Sequence, residues 1–226
     1  MTEMTPRQPA TDRTREIVRA LEEQIVLGWL MPRERLLEDR LTEQFSCKKH
    51  VVREAIAELE RMGLVERVLN KGATVRLLGP DEVKQVYSVR EVLETLAAEQ
   101  IPLPAPAAFL DELTDIQTRH AEAIEINDYR AVFHANMAFH EVLFGACGNP
   151  YLVEVIRSAA QKVHGARFFT ATARPHLLQA RDEHWAIIEA LRVGDRKSLV
   201  ELCRGHIGPS RDAYLAAVQT RMTRSA

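Results

Sequence analysis

Apolar residues in the N-terminal third of the chain recur first at helical spacing and then in alternation. Two helical stripes consist of Ile17, Leu21 and Ile25 and of Val52, Ala55, Ile56 and Leu59. Residues 36–45, between the stripes, predict a further short helix. The runs LVERV (64–68) and ATVRL (73–77) alternate as strands do and flank an Asn-Lys-Gly turn. Helix, turn, helix and two-stranded ribbon together predict a winged helix-turn-helix.

Beyond this ribbon the apolar residues keep a helical spacing, and no alternating strand pattern occurs. The pattern is interrupted at residues 101–107, 145–150 and 173–175 and near Gly194. We therefore predict an all-helical bundle of about six helices, in a fold class that is mainly α. Gly79 and Pro80 mark the boundary, so residues 1–12 are expected to be disordered, residues 13–79 to form the winged helix-turn-helix, and residues 80–221 to form the helical domain.

The composition fits a protein of two domains that stays in the cytoplasm. A chain of 226 residues with 46% hydrophobic residues can bury two ordinary cores. No apolar run is long enough to span a membrane, and the polar N-terminus lacks the apolar segment of a signal peptide, so we expect no membrane partner. Three widely spaced cysteines suit free thiols in a reducing compartment and offer no cysteine-based metal motif.

Positive charge is concentrated on the second helix of the helix-turn-helix and on the ribbon. Residues 46–76 carry seven Lys or Arg against four Glu, whereas the whole chain has a formal net charge of -2. The first turns of the helix expose Lys48, Lys49, His50 and Arg53, with Lys49 and Arg53 one turn apart on one face. Such a helix can enter the major groove of double-stranded DNA and read bases. The alternative is a solvated basic helix in an unrelated helical domain.

This segment resembles the reading head of the GntR family of bacterial transcriptional regulators. Residues 46–55 (SCKKHVVREA) match the Arg-Glu-Ala core of the family's Gly-Val-Ser-Arg-Thr-Pro-Val-Arg-Glu-Ala run. Lys49 and Arg53 take the places of the two recognition arginines. Lys71 and Gly72 match the Arg-Gly of the wing tip, whose glycine lets the backbone approach the minor groove. The resemblance implies a homodimer whose two reading heads bind a palindromic operator.

Three features depart from the family pattern in positions that bear on base reading. Lys49 stands in place of an arginine and lacks its bidentate geometry, and His50 with Val51 replaces Thr-Pro. Asp39 stands where many members carry an arginine that contacts phosphate. The operator sequence therefore does not follow from those of relatives.

Four residues of the helical domain have the spacing and setting of metal ligands. Asn136 and His140 lie one helical turn apart, so one helix face can present an amide oxygen and an imidazole to the same point. His184 and His206 lie on two later helices among apolar residues that would turn that face to the core. Three imidazoles in a bundle suit a divalent transition metal such as zinc, nickel, copper or iron. The alternatives are hydrogen-bonded core histidines, or a metal-dependent hydrolase that activates water.

Residues 81–218 resemble the FCD domain, the effector-binding and dimerisation half of the FadR-like subgroup of GntR regulators. The residues that match its Asp-x-x-Phe-His-x-x-Leu and Gly-Asn signature are Asn136, Phe139, His140, Leu143, Gly148, Asn149 and Leu152. The resemblance implies that His184 and His206 complete the metal site and that Asn136 stands where aspartate is commoner. We expect zinc or nickel as the cofactor. The implied effector is a small organic acid whose carboxylate the metal and an arginine would hold.

Two arginines are candidates for contacting the effector carboxylate, because guanidinium binds carboxylates bidentately. Arg90 is the first, although it could instead pair with Glu94 one turn later and be structural. Arg167 is the second.

These features predict a ligand-responsive transcriptional regulator that acts as a repressor and is not an enzyme. The sequence contains no His-Glu-x-x-His motif and no local arrangement of a nucleophile with a base. A regulator with no metal in its pocket is the remaining alternative besides the hydrolase.

Overall fold

The chain folds into two compact units that divide between Leu77 and Leu78, just before Gly79 and Pro80. The computed structural model describes residues 12–68, 72–169 and 172–224. Residues 1–11, which make up most of the segment expected to be disordered, lie outside the described residues. Among the described residues, no helix is both long and apolar enough to cross a membrane.

The first unit is a helix-turn-helix with a small antiparallel sheet. Its elements are α1 (Asp12–Val26), β1 (Arg35–Leu36), α2 (Glu38–Gln44), α3 (Lys49–Arg61), β2 (Val65–Val68) and β3 (Gly72–Val75). The strands β2 and β3 form the predicted ribbon, with Val65 opposite Val75. The sheet has a third strand, β1, which pairs with the other edge of β3. Two residues are too few to show alternation, so the apolar pattern did not predict this strand.

The core of the first unit forms where α1 packs against α3. The buried side chains that fill it include Ile17, Leu21, Ile25, Val52, Ala55, Ile56 and Leu59. Full burial of an aliphatic side chain of this size contributes roughly 1.5 to 3 kcal/mol, so the apolar stripe fixes which face of α3 points inward. The opposite face, with its basic residues, is therefore held toward solvent.

The second unit is all helical, as predicted: its described part contains helices and turns but no strand. Its helices are α4 (Pro80–Gln100), α5 (Ala107–Glu125), α6 (Tyr129–Gly145), α7 (Pro150–Lys162), a 3-10 helix (His164–Phe169), α8 (Arg174–Val193), α9 (Arg196–His206) and α10 (Gly208–Arg224).

The described part of this unit thus has seven α-helices where about six were expected. The break between α5 and α6, which the sequence pattern did not predict, contains neither proline nor glycine. Between α5 and α6 the chain turns at Asn127, with a φ of 57°, and Asp128 then caps α6 by accepting a hydrogen bond from the Ala131 amide. Only Ile207 separates α9 from α10.

The hydrophobic core of the second unit lies against the inward-facing sides of α6, α8 and α9. The side chains buried there include Phe139, Leu143, Ile187, Ile188, Leu191, Leu199 and Cys203. The helix α8 packs against both α5 and α9, and α5 packs against α6. Gly194, with a φ of 73°, ends α8, and Asp195 caps α9, so the chain reverses tightly and α9 returns along α8.

Candidate metal centre and DNA-binding surface

Three of the four predicted metal ligands converge inside the second unit. The imidazoles of His140 on α6, His184 on α8 and His206 on α9 offer nitrogen atoms that all lie within 4.8 Å of one another. The Nε2 atom of His206 is 3.2 Å from Nε2 of His184 and 3.2 Å from Nε2 of His140. His184 is fully buried, and the other two are partly buried. The arrangement gathers one nitrogen from each of three helices at one point.

Hydrogen bonds at the opposite ring atoms set the tautomers of two of these histidines. The Nδ1 atom of His206 lies 2.6 Å from a carboxylate oxygen of Glu183, which can only accept. The Nδ1 atom of His184 lies 2.8 Å from the Gln117 side-chain oxygen, and the Gln117 amide group itself donates to the Arg181 carbonyl. Both Nδ1 atoms are therefore donors, so in the neutral rings both Nε2 atoms present lone pairs.

Two lone pairs that face each other at 3.2 Å repel unless a proton or a cation lies between them. A cation satisfies both rings at once, since metal-bound histidines commonly donate their other ring N–H to a carboxylate or carbonyl group. Two nitrogen ligands at tetrahedral zinc, with bonds of about 2.0 to 2.1 Å, are separated by roughly 3.3 Å. The spacing and the donor set therefore fit a divalent transition metal.

The residue Asn136 lies one turn before His140 on α6 and is half-buried. This spacing puts both residues on the same helix face. His140 stacks on Phe144, with ring centroids 5.8 Å apart, and His184 stacks on Phe139 at 3.9 Å. The aromatic neighbours restrict the ring orientations of these two histidines.

Around the histidine cluster, the pKa shifts favour a charged Glu183 carboxylate and a neutral His120 imidazole. Burial favours the protonated form of Glu183, but its hydrogen bond to His206 and its Coulombic interaction with that ring lower the pKa of Glu183 overall. His120, buried beside His184 with ring centroids 5.2 Å apart, has its pKa lowered to about 4 by burial and by Coulombic interactions with His206 and Arg181. His120 is therefore neutral at physiological pH.

The predicted DNA-reading residues lie at the solvent-facing start of α3. Lys48 occupies the N-cap position, and Lys49, His50 and Arg53 follow in the first two turns, all of them exposed. Gly72 begins β3 with a φ of 81°, a conformation that favours glycine, and is exposed beside the wing turn. Lys71, the other predicted wing residue, lies outside the described residues.

Two of these cations are paired with carboxylates of α2. Lys49 donates a 2.8 Å hydrogen bond to Asp39, and Arg53 donates one of 2.8 Å to Glu38. The Lys49 ammonium is also 3.8 Å from the same Glu38 oxygen. Lys49, through its hydrogen bond and its charge, holds the pKa of Asp39 below its ordinary value. These exposed contacts are surface pairs and add little to the free energy of unfolding.

Comparison with known families accounts for both units. Residues 85–208, more than half of the chain, match the model of the FCD domain, and residues 13–75 match that of the bacterial regulatory proteins of the gntR family. The chain belongs to the GntR family of bacterial regulators. As a GntR regulator with an FCD domain it binds DNA and regulates transcription, and it is not an enzyme.

Individual GntR relatives match along most of the chain. The HTH-type transcriptional regulator YdhC of Bacillus subtilis (strain 168) is 25% identical over 82% of this chain and 84% of its own length. The gluconate operon transcriptional repressor of Bacillus licheniformis is 22% identical over 80% of this chain and 76% of its own length. A GntR-type transcriptional regulator from Rhodococcus sp. RHA1 has the same fold, with a TM-score of 0.78, 23% identity, and coverage of 92% of this chain and 99% of the other.

Of the two arginines suggested for effector binding in this GntR regulator, Arg90 has an internal partner. Its Nε atom donates to Glu94 at 2.8 Å, both side chains are almost fully buried, and its guanidinium lies 5.1 Å from the centre of the Tyr87 ring. Burial opposes the charge, but Glu94 and Tyr87 keep the pKa of Arg90 above its ordinary value. The structure therefore contains the pairing that the spacing had suggested. The side chain of Arg167 lies outside the described residues.

Three residues beside the histidine cluster were not among the predicted site residues. Gln117 and His120 come from α5, which carries none of the predicted ligands, and Glu183 directly precedes His184. One sequence signal was the spacing of Gln117 and His120, which puts both on one face of a helix in an FCD domain. A carboxylate adjacent to a predicted histidine ligand was a second, weaker signal.

Proposed function

We propose that this GntR regulator is a repressor whose helical unit binds a divalent metal and, through it, a small carboxylate effector. The observation that carries the proposal is the convergence of three Nε2 atoms, two of which present lone pairs because Gln117 and Glu183 set the tautomers of His184 and His206. His140, His184 and His206 would hold the metal, with Asn136 as a fourth ligand. Zinc and nickel suit such a set of imidazole nitrogens.

The bound metal would supply a positive charge on which a carboxylate can anchor. Burial among Phe139, Phe144 and the other core residues keeps water away and strengthens that attraction. The Bacillus licheniformis relative is named for the gluconate operon, which supports a sugar acid or hydroxy acid as the class of effector. Arg167 is the candidate for a second contact, since Arg90 already pairs with Glu94.

The effector would relieve repression because it binds the DNA-free form of the protein better than the DNA-bound form. The coupling free energy between an effector site and a DNA site is typically 1 to 3 kcal/mol, which changes the DNA affinity by roughly 5- to 150-fold. By reciprocity, DNA changes the effector affinity by the same factor. The metal is then part of the effector site and not of the DNA contact.

The test combines metal analysis with DNA release. Protein purified without an affinity tag should contain one metal ion per chain. An operator duplex obtained by in vitro selection should be released by at least one compound from a panel of sugar acids, hydroxy acids, amino acids and fatty acids. After chelation the same compound should act only at much higher concentration. Release that is equal with and without metal would establish the alternative of a regulator whose pocket uses no metal.

The substitution Asn136→Asp tests whether this side chain ligates the metal. A carboxylate in place of the amide adds a negative charge beside the cation, so metal affinity should rise roughly tenfold or more. The affinity of a carboxylate effector should fall, because the site then carries one less net positive charge. Calorimetric titration of metal and then of effector into both proteins measures the two changes. Asn127→Asp, which adds the same charge in the exposed turn before α6, is the control. If both affinities stay at wild-type values in Asn136→Asp, this residue is not a ligand.

We infer further that the regulator acts as a homodimer through α4 and α7. These two helices pack against each other, and both expose apolar side chains at helical spacing. On α4 these are Val89, Val92 and Leu96, and on α7 they are Tyr151 and Val155. Val92 is 67% exposed and Tyr151 is 79% exposed, which is costly for a single chain in water. A second copy related by a two-fold axis would cover this apolar surface.

A charge at the centre of this surface should weaken the dimer. Val92→Glu places a carboxylate opposite the same carboxylate of the second copy. We therefore expect the dissociation constant of the dimer to rise roughly tenfold, and operator affinity to fall in parallel. Sedimentation across a dilution series measures the first effect. Val193→Glu, at an exposed apolar residue of α8, is the matched control and should dimerise as the wild type does. An unchanged association state in Val92→Glu would place the interface elsewhere.

A further inference from the structure

In the first unit, the acidic residues of α2 contact the same side chains of α3 that are assigned to base reading. Glu38 bridges both cations, with Arg53 at 2.8 Å and Lys49 at 3.8 Å, and its side chain is 32% exposed. Asp39 contacts Lys49 alone, at 2.8 Å, and its side chain is 85% exposed. The two carboxylates therefore differ: Glu38 contacts both cations and is mostly buried, whereas Asp39 contacts Lys49 and is mostly exposed.

We propose that Asp39 competes with DNA for Lys49: it pairs with Lys49 in the free protein and thereby weakens binding to random-sequence and operator DNA alike. The proposal rests on the proposed docking of α3 in the major groove. Lys49 in this pair has its charge offset by a carboxylate at hydrogen-bond distance.

The physical reason is that Asp39 and DNA compete for one lysine. General DNA affinity comes almost wholly from cations that neutralise phosphates and release counterions. A lysine held by a carboxylate contributes less to this term. Any complex in which Lys49 contacts a phosphate or a base edge must separate Lys49 from Asp39, so Asp39 lowers the affinity for random DNA and for the operator.

The full-length variant Asp39→Asn tests this, with fluorescence anisotropy on a random-sequence duplex and on an operator duplex from in vitro selection. We expect the variant to bind the random duplex roughly three- to tenfold more tightly, as the loss of an exposed ion pair in each of two reading heads allows. The slope of log K against log salt should steepen by about one per half-site. Operator affinity should rise at least as much, because the operator complex also separates Lys49 from Asp39. Glu112→Gln, at an exposed acid of α5, removes the same charge far from this surface in sequence and should change none of these quantities.

A double-variant cycle with Lys49→Gln separates pairing from simple repulsion. If Asp39 acts through Lys49, Asp39→Asn should have little effect on random-duplex affinity in the Lys49→Gln background. The proposal is overturned if the gain persists in that background, or if Asp39→Asn binds the random duplex as the wild type does. Failure of the docking itself gives a different result, because Lys49→Gln and Arg53→Ala would then both retain full operator affinity.

Discussion

Replacing Arg53 with alanine is expected to weaken operator binding by about 1 to 3 kcal/mol per half-site, and so by about twice that in a dimer with two reading heads. Arg53 lies on the exposed face of α3, and its guanidinium can reach a guanine edge bidentately. Its side chain is 62% exposed, so the free energy of unfolding should change by less than about 1 kcal/mol. Gel shifts on the selected operator measure the affinity, and single-base variants of that operator show whether base preference is relaxed.

The matched control for this prediction is Arg61→Ala. Arg61 lies at the last turn of the same helix, is similarly exposed and forms an ion pair with Glu58, yet it is far from the N-terminal turns that would enter the groove. Operator affinity should survive this change. If Arg53→Ala retains both the affinity and the base preference of the wild type, the proposed docking of α3 is wrong.

Loss of any one of His140, His184 and His206 is expected to abolish stoichiometric metal binding and to lower the thermal midpoint of the helical unit. A ligand that binds only the folded state stabilises it by about 4 kcal/mol when present at a thousandfold excess over its Kd. In a unit of this size that corresponds to a fall of roughly 10 °C in the midpoint. Plasma emission analysis gives the metal content, and scanning calorimetry gives the midpoint.

A chelator separates the metal from the packing of these rings. Replacing the buried His184 also leaves a cavity, so its alanine variant loses stability for two reasons. Chelation should therefore lower the midpoint of the wild type and leave the midpoints of the three variants where they are. His134→Ala, at an exposed histidine of the same helix as His140, should keep the metal. Full metal occupancy in the His184→Ala, His206→Ala double variant would rule out this site.

The helices and the positions of the clustered histidines could be predicted from the sequence because local rules determine them. Asn136 and His140 are one turn apart on any regular helix, and the apolar neighbours of His184 and His206 turn those residues toward a core. The contribution of α5 could not be read in this way. Gln117 reaches His184 only because α5 packs against α8, and no pattern within α5 indicates that contact.

A similar limit applied to the DNA-binding unit. The apolar stripe of α3 predicted which face is exposed, and the structure has Lys49, His50 and Arg53 on it. The pairing of those cations with α2 depends on the angle at which α2 meets α3, which periodicity does not determine. Asp39 could be noted in the sequence only as a departure from the family pattern, whereas its contact with Lys49 gives it a role to test.

The orientation of the Gln117 side chain determines whether His184 turns a lone pair or an N–H toward the histidine cluster. A carboxamide is asymmetric, and rotating it by half a turn would exchange the group that faces His184 from an acceptor to a donor. The ring would then carry its proton on Nε2 and turn an N–H, and not a lone pair, toward the cluster. What opposes this flip is the 3.0 Å hydrogen bond from Gln117 to the carbonyl of Arg181, one turn before His184 on α8. The Arg181 carbonyl of α8 thus determines which nitrogen of His184, on the same helix, carries the proton. It does so by fixing the orientation of the Gln117 side chain of α5.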